Sequence, residues 1–278
     1  MADPSDTSVF RRVTSRLRPL PDFLIVGAMK AGTTSLYHDL LRHPQVLAAT
    51  QKELHYFDPD KIQRGPEWYR AQFASLPYRT VHHAVRRHRP ITGEASPSYL
   101  LYPHAAAQAA ELVPDARIIV LLREPVSRAL SMFQHQRRNH AEPLPTFAES
   151  IDAEEARLDG EWEKLVADPH RRSYAMKKFS YVRRGEYLPQ LLRWETAFGR
   201  ERVLVLHTDD FQRDPSSILR QVARFLDIPD WEPAARRRNV SSNLVTMEPA
   251  IRERLTEHFR PHNRALFDHL GVDLGWPA

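Results

Sequence analysis

The chain has 278 residues, 42% of them hydrophobic and 27% charged, enough to bury a sizeable core and unlike a disordered or fibrous chain. It contains no cysteine, which excludes disulfides, thiolate metal sites and cysteine nucleophiles. With 40 basic against 35 acidic residues the formal net charge is +5, which favours anionic partners, a phosphate-rich cofactor as much as a nucleic acid.

The longest apolar runs, such as residues 118–122, fall far short of the ~20 needed to cross a bilayer, and the first 21 residues lack an apolar signal-peptide centre. The expectation is a soluble, unanchored, cytoplasmic protein. Only six of the basic residues are Lys, and the preference for Arg, Ala and Pro points to a high-GC bacterial genome.

Residues 1–20 read as a flexible N-terminal arm carrying Arg11, Arg12, Arg16 and Arg18, with Val9, Phe10, Val13 and Leu17 offering a short docking helix. Residues 21–278 read as a single domain. It begins with the apolar run Phe23-Leu24-Ile25-Val26, which leads into Gly27-Ala28-Met29-Lys30-Ala31-Gly32-Thr33-Thr34; apolar or aromatic residues then recur at helical spacing at Leu36, Tyr37, Leu40 and Leu41. The pattern is a buried strand, an anion-holding loop and a helix. Two glycines permit a tight turn, and converging N–H groups with the helix dipole suit a phosphate or a sulfate. In an ATP loop a Lys follows the second Gly; here Thr33 takes that place and Lys30 lies inside the loop. The plainer alternative is an ordinary strand-to-helix turn with a surface Lys.

A short strand over residues 44–48 then leads to Lys52-Glu53-Leu54-His55-Tyr56-Phe57-Asp58. Acid, base and aromatic groups following a strand end suit the ligand crevice of a doubly wound sheet. Taken alone, Glu53 would more often be a solvated loop carboxylate and His55 a core or capping histidine.

Gly27 to Ser35, with Lys30 in the loop, and the run Lys52 to Asp58 together resemble the sulfotransferases that use 3'-phosphoadenosine-5'-phosphosulfate (PAPS). The closest branch is that of the heparan sulfate sulfotransferases and their bacterial relatives. The resemblance implies an α/β fold, a P-loop-like parallel β-sheet flanked by helices. It implies further that Lys30, Ala31, Gly32, Thr33, Thr34 and Ser35 hold the phosphosulfate, that Glu53 is the general base, and that His55 and Asp58 lie in the acceptor site. Such chemistry is reasonable: an ammonium stabilises the departing phosphate oxygen while a carboxylate takes the acceptor's proton, with His55 as the substitute base. No metal is required, because PAPS carries its own activated group.

Further along, Gly65 to Tyr69 starts a helix, and the basic stretch from Arg79 to Arg89 is either a solvated face or part of the acceptor cleft. Ile91 to Tyr99 resembles the family's second site motif, but Ala95 stands where a Lys commonly follows the Glu, which argues against transferring a heparan acceptor specificity. A helix over residues 103–112 precedes the strand 117–123 and a helix through Arg138. Arg123 and Ser131 match the family's pair for the cofactor 3'-phosphate, a forked donor and a hydroxyl suited to that anion. Residues 140–178 resemble the variable helical insertion that shapes the acceptor cleft, and His135 and His140 lack a metal spacing. Arg184, Gly185 and Tyr187 match an Arg-Gly-x-Tyr segment. A strand over residues 202–206 and a helix opened by Asp214-Pro215 lead to Arg236-Arg237-Arg238, the densest basic patch. In the family this is a loop closing over the nucleotide, so Arg238 or a neighbour is expected on the 3'-phosphate.

The reading is therefore a sulfotransferase that converts PAPS to 3'-phosphoadenosine-5'-phosphate (PAP). Its acceptor would be a hydroxyl of a saccharide, a glycosylated metabolite or another small molecule, with neither membrane nor nucleic acid as partner. Two alternatives stand beside it, a P-loop kinase or NTPase and a non-catalytic nucleotide-binding relative.

Overall fold

The computed structural model describes residues 8–231 and 247–278. After α1 (Val9–Val13) come β1 (Phe23–Gly27), α2 (Thr33–Leu40), β2 (Val46–Leu47), α3 (Gly65–Arg70), α4 (Leu76–Arg86) and β3 (Ile91–Ala95). The second half adds α5 (Ala105–Leu112), β4 (Arg117–Leu122), α6 (Pro125–Arg138), α7 (Phe147–Asp152), α8 (Glu154–Leu158), α9 (Glu161–Ala167) and α10 (Tyr174–Lys178). It ends with α11 (Tyr187–Phe198), β5 (Val203–His207), α12 (Thr208–Arg213), α13 (Pro215–Phe225) and α14 (Pro249–Leu270).

The five strands form one parallel sheet in the order β2-β3-β1-β4-β5. Every residue of β1 is buried, as a central strand covered by helices on both faces requires, and this explains its unbroken apolar run. The chain leaves β1 for the outer β2, returns through β3 beside β1, then crosses to β4 on the other side. That reversal opens a crevice above the C-terminal end of β1, where the glycine loop begins.

The structure overturns one expectation and decides between two readings left open. Val9, Phe10, Val13 and Leu17 do not dock: all four side chains face solvent, Phe10 at 71% exposure. The arginines hold residues 8–20 instead. Arg11 donates to the carbonyls of Ala71 (2.6 Å) and Phe73 (2.9 Å), and the buried Arg18 donates to the Phe73 carbonyl at 2.7 Å. The basic stretch 79–89 lies at the opposite end of the sheet from the crevice, where Arg79 donates to Asp22 and to the carbonyl of Pro90, at the starts of β1 and β3.

Within the helical insertion over residues 140–178, α7, α8 and α9 follow one another, interrupted at Ala153 and at Gly160, where φ is 64°. The break at Ala153 turns Glu154 inward, and its carboxylate accepts from the N–H groups of Val182 (2.8 Å) and Arg183 (3.0 Å). Among the described residues no helix is long and apolar enough to cross a membrane. Arg236, Arg237 and Arg238 lie outside the described residues.

Candidate active site

The C-terminal ends of β1, β3, β4 and β5 and the turn after β2 meet at one edge of the sheet. The loop after β1 is gripped by its neighbours: Ala28 N–H donates to the Leu121 carbonyl (2.7 Å), and the Thr208 hydroxyl lies 2.8 Å from the Ala31 carbonyl and 2.7 Å from that of Leu122. Gly32 caps α2 at φ 99°, a conformation that a side chain disfavours. Thr33 packs inward, whereas Gly32, Thr34 and Ser35 expose the first turn of α2 and its N–H groups.

Arg123, at the end of β4, donates to the Lys30 carbonyl at 3.2 Å, and its own carbonyl accepts from the Tyr187 hydroxyl at 2.7 Å. Burial, then the positive charges of Arg138 and Arg123, lower the Lys30 ammonium pKa; Glu53 opposes them. One cleft therefore holds the loop cation, the strand-end arginine and the carboxylate. Ser131 lies partly exposed on α6, on which His135 and Arg138 follow.

The Lys52 to Asp58 run is fixed from β3. Glu53 N–H donates to the Ala95 carbonyl (3.1 Å) and His55 N–H to the Ser96 hydroxyl (3.0 Å), while Leu54 between them is wholly buried. Ser96 donates in turn to Glu94 (2.7 Å), a fully buried carboxyl that also accepts from Tyr69 (2.8 Å) and Tyr99 (2.9 Å). Burial pushes the Glu94 pKa up against these three hydroxyls.

Six non-glycine residues among those described have left-handed backbones: Lys30 (φ 71°), Glu53 (61°), His55 (57°), Arg87, His140 and Asp227. The first three are the residues to which the sequence assigned chemistry. Each such conformation costs on the order of 1–3 kcal/mol and persists where the surroundings over-determine it, as active sites do.

Electrostatics revise two assignments. His55 Nδ1 lies 2.9 Å from Asp58 Oδ2 and 3.0 Å from the Ser98 hydroxyl, and its Nε2 lies 3.5 Å from Glu53 Oε2. Burial opposes charge on this ring, but hydrogen bonds and attraction to Asp58 and Glu53 prevail and raise its pKa to about 9. At neutral pH His55 is an imidazolium, so it does not serve as a substitute base. Asp58, placed by the sequence in the acceptor site, is fully buried beneath His55, where it also accepts from Ser98 at 2.7 Å. It touches the ring and not the cleft. Burial raises the Glu53 pKa, yet hydrogen bonds from His55 and Lys52 outweigh it and bring the group to about 2. Lys52 makes a close ion pair with Glu53 Oε1, a contact the sequence reading missed although the two are adjacent.

The sulfotransferase domain family matches residues 20–262. The chain belongs to this sulfotransferase family. A solved sulfotransferase structure from Alicyclobacillus acidocaldarius is 32% identical and superposes with a TM-score of 0.67, covering 92% of this chain and 97% of that one. Heparan sulfate glucosamine 3-O-sulfotransferase 5 of Homo sapiens is 26% identical over 96% of this chain and 77% of its own length. The bifunctional heparan sulfate N-deacetylase/N-sulfotransferase 1 of Caenorhabditis elegans is 28% identical over 77% of this chain. The match spans only 23% of that relative, so the chain corresponds to about a quarter of the bifunctional protein.

For a chain of this family the parallel sheet and its phosphate-type loop are the expected ones, and the kinase alternative is left without support. Sequence reasoning missed the supports of the site: Thr208, which braces the loop from the start of α12, Ser96 and Ser98, which carry His55 and Asp58, and the Glu94 cluster beneath them. The Ser-x-Ser pair directly after a buried strand was the available signal for the second group. Nothing local marked Thr208, which reaches the loop from 177 residues away.

Proposed function

We propose that the protein moves the sulfuryl group of PAPS to a hydroxyl of a saccharide, a glycosylated metabolite or another small molecule. The observation that carries this reading is the convergence of Lys30, Glu53 and His55, all on left-handed backbone, at the sheet edge where the loop and the N-terminus of α2 form an anion cradle. In this reading Lys30 and residues 31–35 hold the phosphosulfate, and Lys30 offsets charge on the departing phosphate oxygen. Arg123 and Ser131 take the 3'-phosphate, and Glu53 accepts the acceptor's proton as its oxygen attacks sulfur in line with the leaving oxygen. His55, backed by Asp58, orients Glu53.

The charges around the cleft support an acceptor that itself bears negative charge. The His135 pKa is lowered by burial and then by Lys30, Arg138 and Lys178, so these cations share one space. A single sulfotransferase domain over residues 21–278, with residues 140–178 bounding the acceptor side, suits the element order. A bacterial cytoplasm suits the cysteine-free, arginine-rich composition.

Calorimetric titration with PAP, in parallel with ATP and Mg²⁺, tests the reading. PAP should bind and Arg123→Ala should weaken it by roughly 10-fold or more, the loss of a charge-assisted contact to phosphate. Binding of ATP with Mg²⁺ and not of PAP would refute the cofactor assignment.

A further inference from the structure

We propose that Glu186, His258 and His262 bind a divalent transition metal of the zinc class, which clamps α14 to the turn preceding α11. The proposal stands on residues outside the cleft and is independent of the sulfotransferase reading.

His258 and His262 are one helical turn apart on α14, so their rings share a face; the ring centroids are 5.2 Å apart and inclined by 32°. Both present Nε2 to the same atom, Glu186 Oε1, at 3.3 Å and 4.0 Å. One ligand atom from each of the three residues lies within 4.8 Å of the others. Zinc bonds to nitrogen and oxygen of about 2.0–2.2 Å at tetrahedral angles place ligand atoms roughly 3.4 Å apart. The first pair already has that spacing, and the rest is reached by small inward rotations of partly exposed side chains.

The convergence is built by packing. A Cβ on Gly185 would come within 2.7 Å of the Phe259 ring, so the absence of a side chain there lets α14 lie directly on the turn that carries Glu186. Phe259 is fully buried, and His258 packs edge-on against it at 5.0 Å, which holds that ring toward Glu186. A simple ion pair with Glu186 needs one histidine, whereas here two imidazoles aim at one carboxylate oxygen.

The donor set selects the ion. Two imidazoles and one carboxylate suit Zn²⁺, Cu²⁺, Ni²⁺ or Co²⁺, whereas Mg²⁺ and Ca²⁺ require oxygen ligands. With three protein ligands and His258 exposed, water completes the coordination. The sequence reading weighed His135 and His140 for metal spacing and passed over the His-x-x-x-His in Phe259's helix. Glu186 sits between Gly185 and Tyr187, whose hydroxyl holds the Arg123 carbonyl, so the clamp would brace the same turn that steadies Arg123. Its role is structural.

The test is calorimetric titration of chelator-stripped protein with Zn²⁺, alongside the visible d–d absorption of bound Co²⁺ and thermal melts. One ion per chain, a tetrahedral-type Co²⁺ band displaced by Zn²⁺, and a melting temperature raised by Zn²⁺ are expected. His258→Asn and His262→Asn should each weaken binding by roughly 10-fold or more, the double variant should abolish it, and Glu186→Gln should weaken it with native circular dichroism retained. No ion bound by the wild type, equal competition by Mg²⁺, or stoichiometric binding that survives in the folded Glu186→Gln and double-histidine variants would each overturn the proposal.

Discussion

Asp58→Asn is the most informative single change, because it removes one charge from a fully buried position and leaves shape almost unaltered. Raising the His55 pKa from 6.5 to about 9 corresponds to roughly 3 kcal/mol at about 1.4 kcal/mol per tenfold change in protonation. Asp58 contacts the ring at 2.9 Å and Glu53 at 3.5 Å, so the larger share, on the order of 2 kcal/mol, falls to Asp58. The variant should lower the His55 pKa by roughly 1.5, to about 7.5, since Glu53 alone then opposes the effect of burial. The sign for stability follows from a raised pKa. The His55 contribution is fully present below pH 6.5 and is lost as pH rises through about 9. Urea unfolding from pH 6 to pH 9.5 should therefore show the variant destabilised by about 2 kcal/mol at the acid end, with the gap closing toward the alkaline end. NMR titration of the His55 ring gives the pKa directly. A ring that still titrates near 9 in the variant, or a stability gap independent of pH, would refute the picture of an imidazolium held by Asp58.

Glu53→Gln should reduce turnover by roughly 100-fold or more while leaving PAP affinity within about threefold, measured by steady-state rates and calorimetry. Lys52→Met should move the acid limb of the pH–rate profile upward, because the lowered Glu53 pKa, about 2, loses one of its two hydrogen-bonded cations; an unmoved limb would separate Lys52 from the base. Glu94→Gln should cost about 1–3 kcal/mol in urea unfolding, since an amide nitrogen would meet hydroxyls that now donate to a carboxyl oxygen. Glu154, raised to about 7 by burial against the N–H groups of Arg183 and Val182, contributes stability below pH 4.5 that is lost as pH rises through 7. Glu154→Gln should thus gain on the wild type by roughly 2 kcal/mol between pH 5 and pH 8; a constant difference would contradict the raised pKa.

What was legible in the sequence was what periodicity and local chemistry encode. The runs at 23–26, 117–122 and 203–206 are strands because a sheet covered on both faces demands unbroken apolar residues, and the glycine loop carried its own signal in Gly27, Lys30 and Gly32. Protonation states were not legible. His55 and Glu53 look alike as candidate bases until Asp58 is seen beneath one and Lys52 against the other. Nor was the manner in which residues 8–20 attach, because Arg11 and Arg18 spend their guanidinium groups on backbone carbonyls of a loop more than fifty residues away. Apolar residues in that arm misled for the same reason: composition says what can be buried, whereas the partner decides what is.

A carboxylate held near pKa 2 is a weak base, and that weakness is informative about the proposed reaction. The acceptor hydroxyl becomes strongly acidic only as its oxygen bonds to sulfur, so the base must be ionised and correctly placed more than it must be strong. The ion pairs with His55 and Lys52 supply both conditions. They also couple the two ends of the transfer. Glu53 raises the Lys30 pKa while Lys52 lowers it, which places all three charges within electrostatic reach of one another. If Glu53 takes the proton as proposed, its negative charge disappears and the field of Lys30 and Lys52 is no longer partly cancelled. That increase comes as the sulfuryl group departs and the phosphate oxygen gains charge. In the proposed reaction, proton acceptance by Glu53 at one end would thus strengthen stabilisation of the leaving group by Lys30 at the other.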